Sequence, residues 1–538
     1  MKKIAKRVRC FALGIAAFAL FAAPGLAVAA AAPAPQTIQL KVDARASGTP
    51  FPHFWEQMFG SGRAVLSLRD DYRKDLDAVH QATGFTYVRF HGIFDRDVGL
   101  VQRGQDGRIS YNFSYVDQIY NGLLAHGMKP FVELGFMPPD LSSDPSNHHS
   151  FWYHPNVMPP KNYAEWDAMI RAFAQHLIDR YGIDEVASWY FEVWNEPNID
   201  FWGGEPKQST YFELYDHTAR TLKSVSDRLR VGGPATAQAA WVPAFLAHVH
   251  EAGIPIDFVS SHVYGDDTAE NVFHTDEHIP RKDMVCRAVA KVHDEILASP
   301  YPKLPLVFSE YNASYANLPN VTDTVFMGPW LANTIRACAG KVAMMSYWTF
   351  SDVFEEQGVV RTPFYGGFGL IAEDRIDKPA FNAFAMLHKL GGERLPLSSD
   401  SALATRRPDG SLVLALWNYA PPVGSGATYM PGPPQGSPKH FEITFQHLAA
   451  PATAAVWRLD SMHGNVIATF DKMRRPAFPS RTQIEQLRAA GRLGDPQQVG
   501  VHDGRLTFDI PPQGLVVVEI PSTNTRHANA AEKPGAGT

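Results

Sequence analysis

Two short segments hold the residue types that bond-breaking chemistry needs. Trp194-Asn195-Glu196-Pro197-Asn198 and Phe308-Ser309-Glu310-Tyr311-Asn312 each place a glutamate just past a run of apolar and aromatic residues. The runs read as strands, and Pro197 stops ladder pairing after the first. Glutamates at the ends of two separate strands can face one another across a substrate. Such a pair suits cleavage of a glycosidic bond by double displacement. One carboxyl protonates the leaving oxygen and later activates water, while the other attacks the anomeric carbon. Retention expects the carboxyls about 5–5.5 Å apart; a gap of about 6.5–9.5 Å indicates inversion.

The surrounding pattern supplies a frame for them. Between residues 51 and 390, strand-like runs at 54–60, 85–90, 129–134, 188–194, 230–234, 256–261, 304–308 and 342–348 alternate with amphipathic stretches. Those stretches cover 70–83, 114–126, 162–181, 210–228, 241–252, 281–298, 323–339 and 378–390. The strand runs are short and rich in Val, Phe, Tyr and Ile, as buried parallel strands are. The alternation predicts an α/β fold, a (β/α)8 TIM barrel over residues 51–390. An open doubly wound sheet is the competitor, but no Gly-rich phosphate turn follows the first strand. Glu196 then ends the fourth strand and Glu310 the seventh, across the mouth from each other. Long loops follow the third strand (135–161, with several prolines) and the eighth (349–377), on the face that carries the site in such barrels.

After Gly391-Gly392 the pattern changes to short β-rich runs at 412–419, 440–445, 454–459, 466–470, 506–510 and 515–520, separated by turn signals. Residues 391–522 read as an accessory β-sandwich domain. Residues 36–50 hold an alternating strand that is expected to join it. Residues 523–538 are polar, with Pro, Gly and Ala, and read as a disordered tail.

The 538 residues are 45% apolar and 19% charged, an ordinary globular balance. Aromatics make up 12%. A large core explains most of them, though sugar sites also use aromatic platforms. Residues 1–30 read as an export signal peptide: Lys2, Lys3, Lys6, Arg7 and Arg9, an apolar stretch, then Ala27-Val28-Ala29 as a cleavage site. The expected location is periplasmic or extracellular, with no membrane contact after signal removal. Losing those five basic residues takes the formal charge from −6 to −11, which does not favour nucleic acid as a partner. Cys10 lacks a lipoprotein-like box. Cys286 and Cys338 fall on expected helices and read as buried free thiols, with a disulfide as the alternative. His148, His149 and His154 fit no standard metal spacing, so neither metal nor other cofactor is expected. Ser309 and Ser260-Ser261 lack a nucleophile elbow. Glu192 reads as a buried partner of Arg89 or another base, and Glu133 as structural.

Here the chain resembles a known family. Asn195-Glu196-Pro197 and Ser309-Glu310 look like the acid/base and nucleophile segments of the 4/7 clan of retaining glycosidases. Val88-Arg89-Phe90-His91-Gly92, Trp194-Asn195-Glu196-Pro197-Asn198, Ser261-His262-Val263-Tyr264 and the segment Ser346-Tyr347-Trp348-Thr349-Phe350-Ser351-Asp352-Val353-Phe354-Glu355-Glu356 resemble glycoside hydrolase family 39, over residues 36–520. The last segment is the most specific and is most similar to the β-xylosidase branch; the family also includes α-L-iduronidases.

The resemblance implies Glu196 as acid/base and Glu310 as nucleophile, with Arg89 holding the nucleophile's charge and Tyr264 donating to it. It implies Asn195 on the sugar 2-hydroxyl and His262 as a second ligand, although a hydrogen-bonded core histidine is the plainer reading of His262. Trp348 is expected as the floor under the sugar or as barrel packing. Glu355 and Glu356 are expected to accept from hydroxyls 3 and 4, where composition alone reads a solvated acidic pair. His91, Phe136 and Tyr315 are expected as pocket walls. The implied activity is that of an exo-acting β-xylosidase on xylo-oligosaccharides. Another glycosidase of the same family (α-L-arabinosidase, β-glucosidase or α-L-iduronidase type) and a non-catalytic carbohydrate-binding protein are the alternatives. An iduronidase needs cations to meet a carboxylate, and Arg361 is the nearest candidate in the loops.

Overall fold

The computed structural model describes residues 36–522, apart from residue 425 and residues 449–451. The expected export signal and the expected disordered tail fall outside the described residues. Strands Met58–Gly60, Tyr87–Phe90, Lys129–Leu134, Tyr190–Val193, Arg230–Thr236, Phe258–Tyr264, Leu306–Asn312 and Met344–Tyr347 close into a barrel in that order. Every neighbouring pair is parallel. The eighth strand pairs with the first through Ser346 opposite Met58 and Tyr347 opposite Phe59. The α/β barrel expected from the alternating pattern is therefore present.

Alternation along the strands sorts the barrel interior into layers. The lower layer is apolar: Met58, Phe131, Phe258, Val307 and Met344 pack together, with Tyr87 and Tyr190 against them. Two residues further along, the inward positions become Arg89, Glu133, Glu192 and Ser309, all buried. The seventh strand continues to Asn312 and the sixth to Tyr264, beyond the expected ends at 308 and 261. Ser309, Glu310, His262 and Tyr264 therefore lie on strands and not in loops. Polar residues continue these strands because their side chains bond to one another inside the barrel. The helices outside are bounded by local signals. Asn162 caps Tyr163–Tyr181 by accepting from Ala164 N at 2.8 Å. Asp70–Thr83 ends on Gly84 at φ 66°.

Two further sheets form the sandwich. Seven strands, including Ala402–Arg406, Leu412–Asn418 and Gly514–Ile520, face a sheet of three. The three are Gln36–Asp43, Lys439–Gln446 and Arg505–Ile510, the first parallel to the second. Leu40, Leu414, Phe441, Phe508 and Val518 share the core between them.

Two expectations are corrected. Residues 466–470 are not a strand but lie within a helix, Val466–Lys472, followed by a second helix, Arg481–Gly491. Val466, Ile467 and Phe470 have helical spacing and pack with Leu487 against Phe364, Ala372 and Ile376. A short apolar run does not reveal that choice by itself. Cys286 and Cys338 are not free thiols but a disulfide, with Cα atoms 5.0 Å apart. They sit on the helices Arg281–Leu297 and Met327–Cys338, which follow the paired sixth and seventh strands and pack side by side.

The long loop after the eighth strand is pinned by one buried cation. Lys378 Nζ lies 2.9 Å from Asp323 and 2.5 Å from Asp352, all three side chains fully buried. It also donates to Gly367 O at 2.9 Å. The two aspartates accept from Gly366 N and Gly369 N, each at 2.7 Å. Lys378→Met leaves two buried carboxylates without their cation. The expected loss of stability is about 3–5 kcal/mol, read from the midpoint of urea unfolding; a loss below about 1 kcal/mol contradicts this role.

Candidate active site

Arg89 is the centre from which the site is built. The second strand points it into the barrel, where it is fully buried. Its Nε donates to Glu192 at 2.6 Å, Nη1 to Glu310 at 2.6 Å and Nη2 to Asn195 Oδ1 at 2.9 Å. Nη2 also lies 2.9 Å from Glu133. The planar fork meets groups from the third, fourth and seventh strands at once. Glu133 shares its Oε2 with His91 Nδ1 at 2.6 Å. Burial holds the Glu133 carboxyl well above its usual range, with Arg89 opposing. Burial pushes the His91 imidazole down to about 3, so it is neutral.

The backbone around Glu196 is strained. Trp194 has φ 73° and Glu196 φ 44°, left-handed values that bulky residues rarely adopt. Three bonds hold the turn: Glu196 N donates to Ala235 O at 2.8 Å, Trp194 Nε1 to Phe201 O at 2.8 Å, and Arg89 to Asn195. The turn aims Glu196 at Glu310. One carboxylate oxygen of each, together with a ring nitrogen of His262, lies within 4.8 Å of the others. Nearest oxygens within that reach fit direct attack better than an intervening water.

The two carboxyls differ in their surroundings. Glu310 receives Arg89 Nη1 on one oxygen and Tyr264 OH on the other, both at 2.6 Å. Burial raises its pKa, but the Arg89 charge and the Tyr264 hydroxyl pull it back. Glu196 is raised well above the carboxyl range by burial, then by the charges of Glu310 and Asp267, and only Arg89 opposes. Glu310 therefore ionises first and Glu196 keeps its proton.

Both carboxyls open into a cavity of about 420 Å³. Of the residues expected to form the site, Asn195, Glu196, Glu310, Tyr264, Trp348, Glu356, His91 and Tyr315 line it. Arg89 and His262 stand behind that lining, fully buried. The expected place of His262 as a sugar ligand is thus corrected: Glu196 and Ser309 occupy its two nitrogens at 3.0 and 3.1 Å. Phe136 is no pocket wall either; it is buried against Trp194 and Phe201. Glu355 faces away from the cavity, its oxygens 3.1 Å from Arg63 and 2.5 Å from Arg69. The chain turns at Glu355–Gly358, and Glu356 is the one that faces inward. Phe151, Phe201, Gln238, Asp267, Gln357 and Phe368 also line the cavity, although nothing in their sequence context marked them. Phe151 comes from the proline-rich loop after the third strand. That loop is tied to the eighth by Trp152 N donating to Glu356 O at 2.8 Å.

His149 stacks on Phe201 with ring centroids 4.0 Å apart, and the His148 and His154 rings lie 6.4 Å apart. Among the described residues, His53, Glu56 and His388 are another set that brings three metal-ligating atoms within 4.8 Å of one another. They sit beside the start of the first strand, at the end of the barrel opposite the cavity.

Trp348 forms part of the floor. Its ring lies 4.7 Å from His91 and 6.0 Å from Phe354, and Asn312 Nδ2 donates to its carbonyl. Gly60 ends the first strand directly beneath it: a Cβ there would come within 2.2 Å of Trp348 Cε3. Gly60→Ala must therefore move the indole. The expected result is a folded protein whose kcat/KM on glycosides falls about 100-fold, measured at matched thermal stability. An unchanged kcat/KM contradicts a role for the indole in seating substrate.

Known proteins are similar to this chain in sequence and fold. The family model for glycosyl hydrolases family 39 matches residues 38–501. A beta-xylosidase of Geobacillus stearothermophilus is 39% identical over 483 residues, 87% of this chain and 93% of that protein. The crystal structure of a monomeric beta-xylosidase from Caulobacter crescentus is 34% identical, with a TM-score of 0.81 over 90% of this chain and 99% of that one. Human alpha-L-iduronidase is 27% identical over 265 residues, 45% of this chain and 38% of that protein. With two strand-end carboxylates converging in a closed barrel, and the family model matched along most of its length, the chain belongs to glycosyl hydrolase family 39.

Proposed function

We propose that the chain is an exo-acting, retaining β-xylosidase that releases xylose from the non-reducing ends of xylo-oligosaccharides. The observation that carries this reading is the cavity's lining: four acidic residues, Glu196, Asp267, Glu310 and Glu356, and no Lys or Arg among the described residues. Xylose carries neither a C6 hydroxymethyl group nor a carboxylate. A uronic acid would bring its negative charge to these carboxylates with no cation to receive it. Arg63 and Arg69 are engaged by Glu355, and Arg361 is exposed and outside the lining. The Geobacillus and Caulobacter relatives named as beta-xylosidases support the same choice.

In this reading Glu310 attacks the anomeric carbon as the bond to the leaving oxygen breaks, and Glu196 gives its proton to that oxygen. Water then attacks the same carbon and passes a proton to Glu196 as the bond to Glu310 breaks. Arg89 and the Tyr264 hydroxyl hold the nucleophile ionised and fixed in orientation. Asn195, itself fixed by Arg89, meets the 2-hydroxyl. Glu356 accepts from hydroxyls farther round the ring, and Trp348 carries the ring face. The proposal includes export. The basic and apolar start of the chain supports it, and so does the Cys286–Cys338 disulfide, which suits an oxidising compartment.

A panel of aryl glycosides, with the product anomer followed by NMR, tests substrate and stereochemistry together. The expected result is a preference for the β-xyloside and β-xylose as the first product. An α first product, or a preference for the iduronide, overturns the reading. Glu310→Ala should abolish turnover. Glu196→Ala should lower kcat/KM by about 10²–10⁴-fold on poor leaving groups and much less on activated aryl groups. The profile of kcat/KM should fall at low pH as Glu310 takes a proton and at high pH as Glu196 loses one.

A further inference from the structure

His262 lies behind the pocket wall, and its hydrogen bonds fix where a proton must rest. Ser309 Oγ is 2.5 Å from Glu192 Oε1, and the other oxygen of Glu192 receives Arg89 Nε at 2.6 Å. A carboxylate paired with a guanidinium only accepts, so the Ser309 hydroxyl hydrogen points at Glu192. The Ser309 oxygen then offers lone pairs to His262 Nε2, 3.1 Å away. Nε2 must carry the hydrogen in that contact.

The opposite nitrogen, Nδ1, faces Glu196 Oε1 at 3.0 Å and Glu310 Oε1 at 3.7 Å. Charged and titratable groups reach this corner from several elements: Arg89 and His91 on and after the second strand, Glu310 on the seventh, Asp267 after the sixth and Glu356 after the eighth. Burial, then the Arg89 charge, oppose a second proton on the imidazole and hold it well below its usual range. Glu310 would favour that proton, but Arg89 and Tyr264 already take up its charge. A neutral ring with Nε2–H leaves Nδ1 bare. A bare nitrogen 3.0 Å from a carboxyl oxygen is satisfied only when that oxygen carries a hydrogen.

We propose that Glu192 and Ser309 lock His262 as the Nε2–H tautomer, so that its bare Nδ1 accepts the proton of Glu196 and keeps that carboxyl in its acid form. This deepens the assignment of Glu196 as general acid and rests on it. Ser309 and His262 are positioning residues. A bare nitrogen donates nothing to a carboxylate. The same contact therefore holds the proton before glycosyl transfer and keeps Glu196 basic afterwards, when it must take a proton from water.

Ser309→Ala removes the acceptor of Nε2–H and frees the ring to donate from Nδ1 to ionised Glu196. The basic limb of the pH profile of kcat/KM should then move down by about one pH unit, a tenfold loss of proton affinity, with the acidic limb unmoved. Ser309→Thr keeps the hydroxyl and should restore the limb. In ¹⁵N spectra of histidine-labelled wild-type enzyme, His262 Nδ1 should resonate as an unprotonated nitrogen and Nε2 as a protonated one from about pH 5 to 8. A protonated Nδ1 in the wild type overturns the proposal, as does a basic limb that stays in place in folded Ser309→Ala. Should that variant not fold, the wild-type nitrogen shifts decide alone. The underlying reading fails separately: if Glu196 is not the acid, Glu196→Gln retains the wild-type basic limb whatever the tautomer of His262.

Discussion

One guanidinium, buried without any exposure, holds the two halves of this site in register. Arg89 bonds to Glu192 on the fourth strand, to Asn195 in the turn beyond it, to Glu310 on the seventh and to Glu133 on the third. Removing a cation from water is costly, and this position is tolerable because its donors are met by charged or amide oxygens. The same contacts set the separation of the two glutamates. Asn195 is fixed one residue before Glu196, and Glu310 is fixed directly. The interaction also divides the chemistry. A carboxyl bonded to Arg89 and to a tyrosine hydroxyl favours its ionised form, while one that faces that negative charge and a bare imidazole favours its proton.

The rest of the molecule keeps this polar cluster rigid. The apolar layer of Met58, Phe131, Phe258, Val307 and Met344 closes the barrel beneath it. The left-handed turn at Trp194 and Glu196 stores strain that the anchors to Ala235 and Phe201 must hold. Above, the eighth loop is fastened from within by Lys378 and from outside by the helices that pack on Phe364. Those helices follow strands of the sandwich in the chain, so the second domain supports the loop that brings Glu356 to the pocket.

The two glutamates were legible in sequence because each sits where an apolar strand gives way to polar residues and, for Glu196, to a proline. The strand period alone turns Arg89 and Glu192 inward to meet. Other features were hidden for physical reasons. His262 reads equally as a ligand or as a core histidine; its imidazole is fully buried, with both nitrogens taken by Glu196 and Ser309. Glu355 and Glu356 are alike in type and adjacent. What separates them is the position of Arg63 and Arg69, far away in sequence. Cys286 and Cys338 pair because the neighbouring sixth and seventh strands set the helices that follow them side by side. Asp267 and Gln238 line the pocket through backbone turns that no residue pattern announces.

The central claim is that Glu310 forms a bond to the sugar while Glu196 stands opposite with its proton. An activated 2-deoxy-2-fluoro-β-xyloside slows breakdown of such an intermediate more than its formation, so the adduct accumulates. Intact mass spectrometry followed by peptide mapping should find one fluoroxylosyl group per chain, attached at Glu310. Label on a different residue, or turnover to inverted product with no label at all, contradicts the account.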